Sequence, residues 1–347
     1  VVEWADDLPN LVVDPVMVAT SGDRLLAAEA EDAYERLVAE AAVVTPNTDE
    51  AEVLTGRDID DAEDAAAAGR ELVEMGAEAA LVKGGHVPGD EIVDVLVTDD
   101  AATTYRHDRV ATEATHGSGC TLSSAIATRL AHGDELVEAV ASGIDLLARA
   151  VRYNLDVGEG PGAVHHTVEL REAAAGAATS ESVADVVAAL IESDVTPLVP
   201  DAGMSVAGAT PYAERPDEVA AVDGRIARTL DGPRPNRGVR FGAEPDLARR
   251  LLAVREHDPD RRFAVTCRPS DAVVDALESL AGPVATVEAD GAHPEARIDG
   301  AFATVEGSPV AIVDRGAVGV DGSVVVLADD DTGITDRIET LLETVGH

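Results

Sequence analysis

The segment Thr115-His116-Gly117-Ser118-Gly119-Cys120 sets two glycines and a thiol where a loop gives way to apolar residues at helical spacing. Glycines let backbone N–H groups turn inward, and a helix start adds partial positive charge, so the segment reads as a cradle for a phosphate or a developing oxyanion. A glycine turn that only starts a helix is the plainer alternative. Cys120 falls in the first helical turn, where a thiol's pKa is lowered. There it could take the proton from a hydroxyl or phosphate attacking a γ-phosphoryl group, or serve as a small buried hydrophobe.

Three further clusters suit the same chemistry. Asp14 ends an apolar run, and Asn47 and Glu50 stand three apart at a helix start, where both side chains can face one water-rich Mg²⁺ site. Lys83, followed by Gly84-Gly85-His86, is the single lysine among 26 basic residues. In a chain that otherwise uses arginine, an ammonium that persists marks a place for a compact point charge, such as a phosphate contact. Each cluster taken singly also reads as an ordinary turn or cap.

The elements that must position these residues follow from periodicity. Strands are expected at 10–14, 43–45 and 79–83, a hairpin at 92–97 and 102–106, and helices at 24–41, from 48, at 60–75, 122–131 and 135–153. This alternation predicts a largely parallel sheet with helices on both faces, with ligands gathering outside the carboxyl ends of its strands. A Gly-, Pro-, Ala- and His-rich stretch from 157 to 179 is expected to contain the linker. Beyond it, helices are expected at 183–191, 246–255, 271–280 and 334–345, with strands at 263–266, 310–313 and 324–327.

Composition narrows the function classes. The 347 residues suffice for two cores, which must be built from Ala, Val, Leu and Ile because aromatics are only 2%. A net charge of −41 argues against a nucleic-acid partner and predicts a halophilic protein kept soluble at molar salt. No apolar run is expected to span a membrane, and a cytoplasmic location follows from the absence of a signal-like start. The two cysteines, Cys120 and Cys267, define no disulfide framework. His165 and His166 lack partners at metal-ligand spacing and read as surface or packing residues.

The succession VVDPVMVATSGDRLL, VVTPNTDEAEVLTG, LVKGGH and THGSGCTLSSAIA resembles the ribokinase superfamily. Cys120, where sugar kinases carry Asp, makes it similar to the hydroxymethylpyrimidine and phosphomethylpyrimidine kinases (ThiD type). That resemblance implies ATP and Mg²⁺ as cofactors, Asp14, Asn47 and Glu50 around Mg²⁺ and its waters, and Lys83 on the ATP phosphates. It also implies Thr115 near the phosphates, Gly117 and Gly119 in the anion hole, and Cys120 as base. The chain starts at Val1-Val2-Glu3-Trp4, after the family's first strands and pyrimidine-binding residues. Weak ATP binding and little kinase activity are therefore expected of the chain as given.

From 183 to 347 the chain resembles the archaeal thiamine-phosphate synthases (ThiN type) through VPDAG, RPDEVAAVDGRI, FGA and DRGAVG. The resemblance implies joining of a pyrimidine diphosphate to a thiazole phosphate with release of pyrophosphate, and Arg225 as the cation for the developing diphosphate charge. Asp246 stands where the family has His, and Val320 where it has Lys. A ligand-sensing module is therefore the alternative to a synthase, as a pyridoxal kinase is for the first half. Arg268 reads as a phosphate contact or a solvated strand end. Together these readings give an α/β chain: a ribokinase-like three-layer domain lacking its first strands (1–168), a linker (169–180) and a second, smaller α/β domain (181–347). Its partners are small-molecule pyrimidine and thiazole phosphates, with homo-oligomerisation left open.

Overall fold

The computed structural model describes residues 2–17, 28–85, 89–155, 157, 159–160, 162–287, 294–316 and 322–346. The expected helix start at 24–27 and the residues His86, Gly158, Pro161, His293, Val320 and His347 lie outside them. The chain forms two compact units, Val1–Glu169 and Leu170–His347, of comparable length.

In the first unit, β1 (Val12–Val13), α1 (Ala28–Val38), β2 (Val43–Val44), α2 (Thr48–Thr55), α3 (Ala62–Glu74) and β3 (Ala79–Val82) come first. They are followed by β4 (Glu91–Thr98), β5 (Ala102–Asp108), α4 (Ser118–Ala131) and α5 (Leu136–Arg152). The five strands lie side by side in chain order. β1, β2 and β3 run parallel, and β4 and β5 form the expected antiparallel hairpin, with β4 also antiparallel to β3.

The period of two along each strand sorts the core into two layers. Val13, Val44, Ala80, Val82, Val95 and Val97 face Val38, Ala51 and Leu72 of α1, α2 and α3. Val43, Ala79, Leu81 and Leu96 face Leu122, Ile126, Val140 and Ile144 of α4 and α5. Local chemistry starts the helices: the Asp61 carboxylate accepts from the amides of Glu63 at 2.8 Å and Asp64 at 3.0 Å, filling two donors that a helix start leaves open.

In the second unit, α6 (Val168–Glu192) precedes β6 (Val206–Ala209), β7 (Val219–Val222), β8 (Ile226–Thr229), β9 (Gly232–Pro235), β10 (Val239–Phe241) and α7 (Pro245–His257). β11 (Phe263–Cys267), α8 (Asp271–Ala276), β12 (Val284–Val287), α9 (Pro294–Ala303), β13 (Ala311–Asp314), β14 (Ser323–Ala328) and α10 (Asp331–Val345) complete it. Seven strands form one mixed sheet in the order β10-β7-β6-β11-β14-β13-β12, and β8 with β9 forms a separate hairpin. One face carries α6, α8 and α10 through Val183, Leu190, Val273, Ile334 and Ile338. The other carries α7 and α9 through Leu247, Leu251, Ile298 and Ala301.

Two differences from the sequence expectations have plain causes. Residues 169–180, expected as a linker, are helical within α6, because the alanine-rich run has the highest helix propensity available and only one glycine, Gly176, to oppose it. By length and composition α6 is also apolar enough to cross a membrane, yet Val183, Val186 and Leu190 are buried in the core of the second unit. Strands β6, β7 and β10, by contrast, escape a periodicity reading. VAGA and VAAV are short, fully buried and low in β propensity, and only their pairing between neighbours makes them strands.

Gly208 in β6 shows how tightly that pairing is covered: a Cβ there would lie 2.6 Å from Val183 Cγ2 and 2.9 Å from Phe263 Cε1. Gly208→Val is expected to destabilise the second unit by about 1–3 kcal/mol through overpacking. Gly300→Ala in α9, where a Cβ meets nothing within 4 Å, is expected to be neutral or stabilising by up to about 1 kcal/mol. Urea unfolding of both variants in matched KCl checks the contrast, and equal effects would remove the packing argument.

Candidate functional sites

Because β1, β2 and β3 are parallel and adjacent, their carboxyl ends deliver Asp14, Asn47 and Lys83 along one edge of the first sheet. An isolated parallel bridge between Asn47 and Lys83 continues the pairing past the strand ends, and the Lys83 amide donates to Pro46 O at 2.9 Å. Lys83 Nζ donates to Asp14 Oδ1 at 2.9 Å, with the two side chains only 15% and 12% exposed. The hydroxyl of buried Thr45 reaches the same carboxylate oxygen at 3.4 Å.

Helix α4 begins directly against this pair. A Cβ at Gly119 would lie 2.8 Å from Asp14 Oδ2 and 3.3 Å from Lys83 Nζ. Gly117 holds the N-cap position with φ 84°, the left-handed region that favours glycine, and having no side chain it cannot cap the helix itself. The structure thus brings Asp14, Lys83 and Gly119 into direct contact, with Gly117 and Cys120 in the adjoining turn. Cys120 is exposed, which sets aside its reading as a buried hydrophobe. Thr115, also exposed, accepts from the Ser118 amide at 3.1 Å through its carbonyl.

Asn47 and Glu50 form a reciprocal capping box: the Glu50 amide donates to Asn47 Oδ1, and the Asn47 amide to Glu50 Oε2, both at 2.8 Å. The spacing that reads as a metal pair is therefore also a cap. Glu50 is buried at 3% exposure. Its pKa lies above the ordinary carboxylate range, chiefly because burial penalises the charge and also because Asp14 repels it; the Asn47 amide, Lys83 and the Met17 amide act in the opposite sense.

Among the described residues no group of three or more His, Cys, Asp or Glu side chains is arranged to hold a metal ion. Asp14 and Glu50, two little-exposed carboxylates near one ammonium, nonetheless fit an ion such as Mg²⁺. That ion keeps several waters and takes one or two carboxylates plus substrate phosphates.

The turn after Lys83 depends on residues that the motif reading passed over. Asp94 on β4, 4% exposed, accepts from the Gly84 amide at 2.9 Å and contacts His107 Nε2 at 3.3 Å. Arg109 donates from Nε to Gly89 O at 2.7 Å and from Nη1 to Gly85 O at 2.8 Å. Asp94 sits inside an apolar strand, EIVDVLVT, and that intrusion of a carboxylate is the sequence signal that could have revealed it. His165 is buried and contacts Thr167 Oγ1 at 3.4 Å, a packing position.

In the second unit Arg225 lines two adjoining clefts of about 390 and 190 Å³. It is one of three non-glycine residues at positive φ among the described residues, at 65°, a conformation that persists only where its surroundings impose it. Here Nε donates to Glu244 Oε1 and Oε2 at 3.2 and 3.3 Å, and Nη1 to Ala202 O at 3.4 Å. Glu244, 12% exposed, accepts in turn from the hydroxyl of buried Ser205 at 3.2 Å. Asp246 lines the same cleft and pairs with Arg249 at 2.9 Å.

Arg268 is anchored at the end of β11, donating to Val199 O at 3.3 Å and Asp201 Oδ1 at 2.9 Å. Cys267, beside it, is fully buried, and burial pushes its thiol up to about 12.

Each half is similar to a known family. Residues 1–165 match the model for phosphomethylpyrimidine kinase, and residues 182–340 the model for thiamine-phosphate synthase ThiN. The hydroxymethylpyrimidine/phosphomethylpyrimidine kinase of Rhizobium meliloti is 48% identical over 160 residues, covering 45% of this chain and 60% of the relative. The thiamine biosynthesis bifunctional protein ThiED of Geobacter sulfurreducens is 44% identical over 157 residues, covering 45% of this chain and 32% of the relative. The chain thus spans less than two thirds of the length of these relatives. A crystal structure of the C-terminal domain of a phosphomethylpyrimidine kinase matches 47% of this chain and 98% of its own at 22% identity, with a TM-score of 0.45. By sequence, residues 1–165 are similar to phosphomethylpyrimidine kinases and residues 182–340 to thiamine-phosphate synthase ThiN.

Since Glu50 has a raised pKa in the folded state, its contribution to stability is complete below the unfolded carboxylate pKa and is lost as pH rises through the folded value. Glu50→Gln keeps an oxygen for the Asn47 amide and removes the charge. The variant is therefore expected to gain stability relative to the parent between pH 4 and pH 7. Urea midpoints at both pH values in matched, Mg²⁺-free KCl test this, and a difference that does not grow with pH would contradict it.

Proposed function

We propose that the first unit carries the ATP-phosphate and phosphoryl-transfer residues of a kinase acting on hydroxymethylpyrimidine or its phosphate, in thiamine biosynthesis. The observation that carries this reading is the meeting of Lys83, Asp14 and Gly119 at the start of α4, where a Cβ at 119 would come within 2.8 Å of Asp14 Oδ2 and displace that carboxylate. A phosphoryl group placed at that helix end meets first-turn amides, the helix dipole and one ammonium in a poorly solvated spot. Lys83 would exchange Asp14 for a phosphate oxygen. Asp14 and Glu50, with Asn47 beside them, would hold Mg²⁺ through its waters, and the ion would neutralise phosphate charge.

Cys120, exposed one residue beyond Gly119, is assigned as the base that accepts the proton of the attacking oxygen, and Thr115 as a neighbour of the phosphates. A pyridoxal-type kinase would use the same phosphate machinery, and the kinase family model matched by residues 1–165 favours the pyrimidine reading.

For the second unit we infer binding of phosphate-bearing thiamine intermediates, with Arg225 as the cation for a departing diphosphate. The strained, doubly held Arg225 supports a functional rather than a structural guanidinium. Asp246, a carboxylate on the cleft wall, is the observation that keeps a ligand sensor beside the synthase. Pyrophosphate release on mixing the pyrimidine diphosphate with thiazole phosphate supports the synthase; tight binding of an intermediate without turnover supports the sensor.

The reading includes a cytoplasmic protein that is also halophilic, the latter supported by the net charge of −41. On that basis the thermal midpoint is expected to rise between 0.1 and 3 M KCl as self-repulsion is screened, and a flat or falling midpoint would count against it.

Binding of MgATP by the chain in molar KCl, expected to be weak, should be weakened further in Lys83→Ala and left unchanged in Cys120→Ala. The little phosphate transfer to hydroxymethylpyrimidine phosphate expected of the chain should fall below detection in Cys120→Ala, since a removed general base costs about 100-fold or more. MgATP binding indifferent to Lys83, or transfer indifferent to Cys120, would overturn these assignments.

A further inference from the structure

In the second unit two guanidiniums end on a single atom. Arg228 Nη2 and Arg268 Nη2 both donate to Asp201 Oδ1, at 3.0 and 2.9 Å. The arginines belong to built elements: Arg228 lies within β8, and Arg268 follows β11 with its backbone amide on Leu198 O at 2.8 Å and its Nε on Val199 O. Asp201 instead stands on a turn with its side chain 88% exposed. An ion pair so exposed contributes little to stability, while two cations sharing one oxygen repel each other unless an anion stays between them. Asp201, Arg228 and Arg225 all line the larger cleft.

We infer that Asp201 is an internal substitute for a phosphate group, occupying an anion site formed by Arg228 and Arg268 at the mouth of the Arg225 cleft, and that a phosphate-bearing ligand displaces it. The inference rests on the phosphate-ligand reading of this unit and adds to it the residues that receive the ligand and the one that competes with it.

The chemistry favours the exchange. A carboxylate offers each fork one shared oxygen here, whereas a phosphate offers three acceptor oxygens and more charge, so that both forks can bind in full. A third guanidinium, Arg225, in the same cleft suits the second phosphoryl group of a diphosphate. A chain with net charge −41 repels anions at long range, so a local group of cations is what makes such a ligand bindable. Displaced, Asp201 moves into solvent, where its charge is hydrated at little loss. In the absence of ligand it neutralises the cleft and excludes weaker anions such as chloride.

Calorimetric titration of the full chain at pH 7 in fixed KCl, with inorganic pyrophosphate and separately with orthophosphate, tests this. Asp201→Asn is expected to tighten binding about threefold or more by removing the competitor. Arg228→Gln with Arg268→Gln is expected to weaken it about tenfold or more, by removing charge-assisted bonds. Preference for pyrophosphate assigns the site to a diphosphate, and preference for orthophosphate to a monophosphate ester.

An Asp201→Asn variant that binds no tighter than the parent overturns the inference. Because Asp201 is exposed, this variant decides the matter even if the double arginine variant does not fold. Pyrophosphate release by a chain that shows no Asp201 effect would remove the inference and leave the synthase reading standing; an Asp201 effect without turnover would do the reverse.

Discussion

One ion pair organises the first unit. Lys83 and Asp14 are drawn from strand ends 69 residues apart in sequence, and their side chains are only 15% and 12% exposed. Desolvated charges are costly unless paired, so the pairing constrains where β1 and β3 must stop. The backbone of α4 then closes over it at Gly119, where a methyl group would press on the Asp14 carboxylate and shift it. Glu50, buried nearby with its charge penalised, shows that the site concentrates carboxylates beyond what its one ammonium balances.

The second unit handles charge in the opposite way. Its cleft gathers guanidiniums and supplies its own carboxylates to meet them, Glu244 from below and Asp201 from the rim. These two differ physically. Glu244 is little exposed and held by Ser205, so it holds the Arg225 guanidinium in place. Asp201 is solvated and on a turn, so it can leave. A buried carboxylate positions a cation, and an exposed one merely neutralises it.

Several elements show where a sequence reading stops. The amphipathic helices α3, α5 and α7 and the strands β3, β11 and β14 announce themselves through period and composition, and they lie within a few residues of expectation. Strands β6 and β7 do not, since VAGA and VAAV carry no alternation. The stretch at 169–180 misleads because alanine suits a helix as well as it suits a low-complexity linker.

At the sites, residue type was legible and partnership was not. Lone Lys83, the glycines of 115–120 and the thiol of Cys120 stand out by rarity and spacing. The pairing of Asn47 with Glu50 was visible as a spacing, yet its use as a cap emerges from the geometry.

What the sequence determined alone is therefore the local and the periodic: the strongly periodic helices and strands, where helices can start, and which side chain types could carry chemistry. Such properties depend on neighbours within a turn or two, and those neighbours are written in order along the chain. The tertiary structure decided the rest: that Asp14 meets Lys83 beneath Gly119, that Asp94 anchors the turn after Lys83, and that Arg228 and Arg268 share Asp201. Each of these joins residues on different elements, and strand order and register, not sequence separation, set their distances.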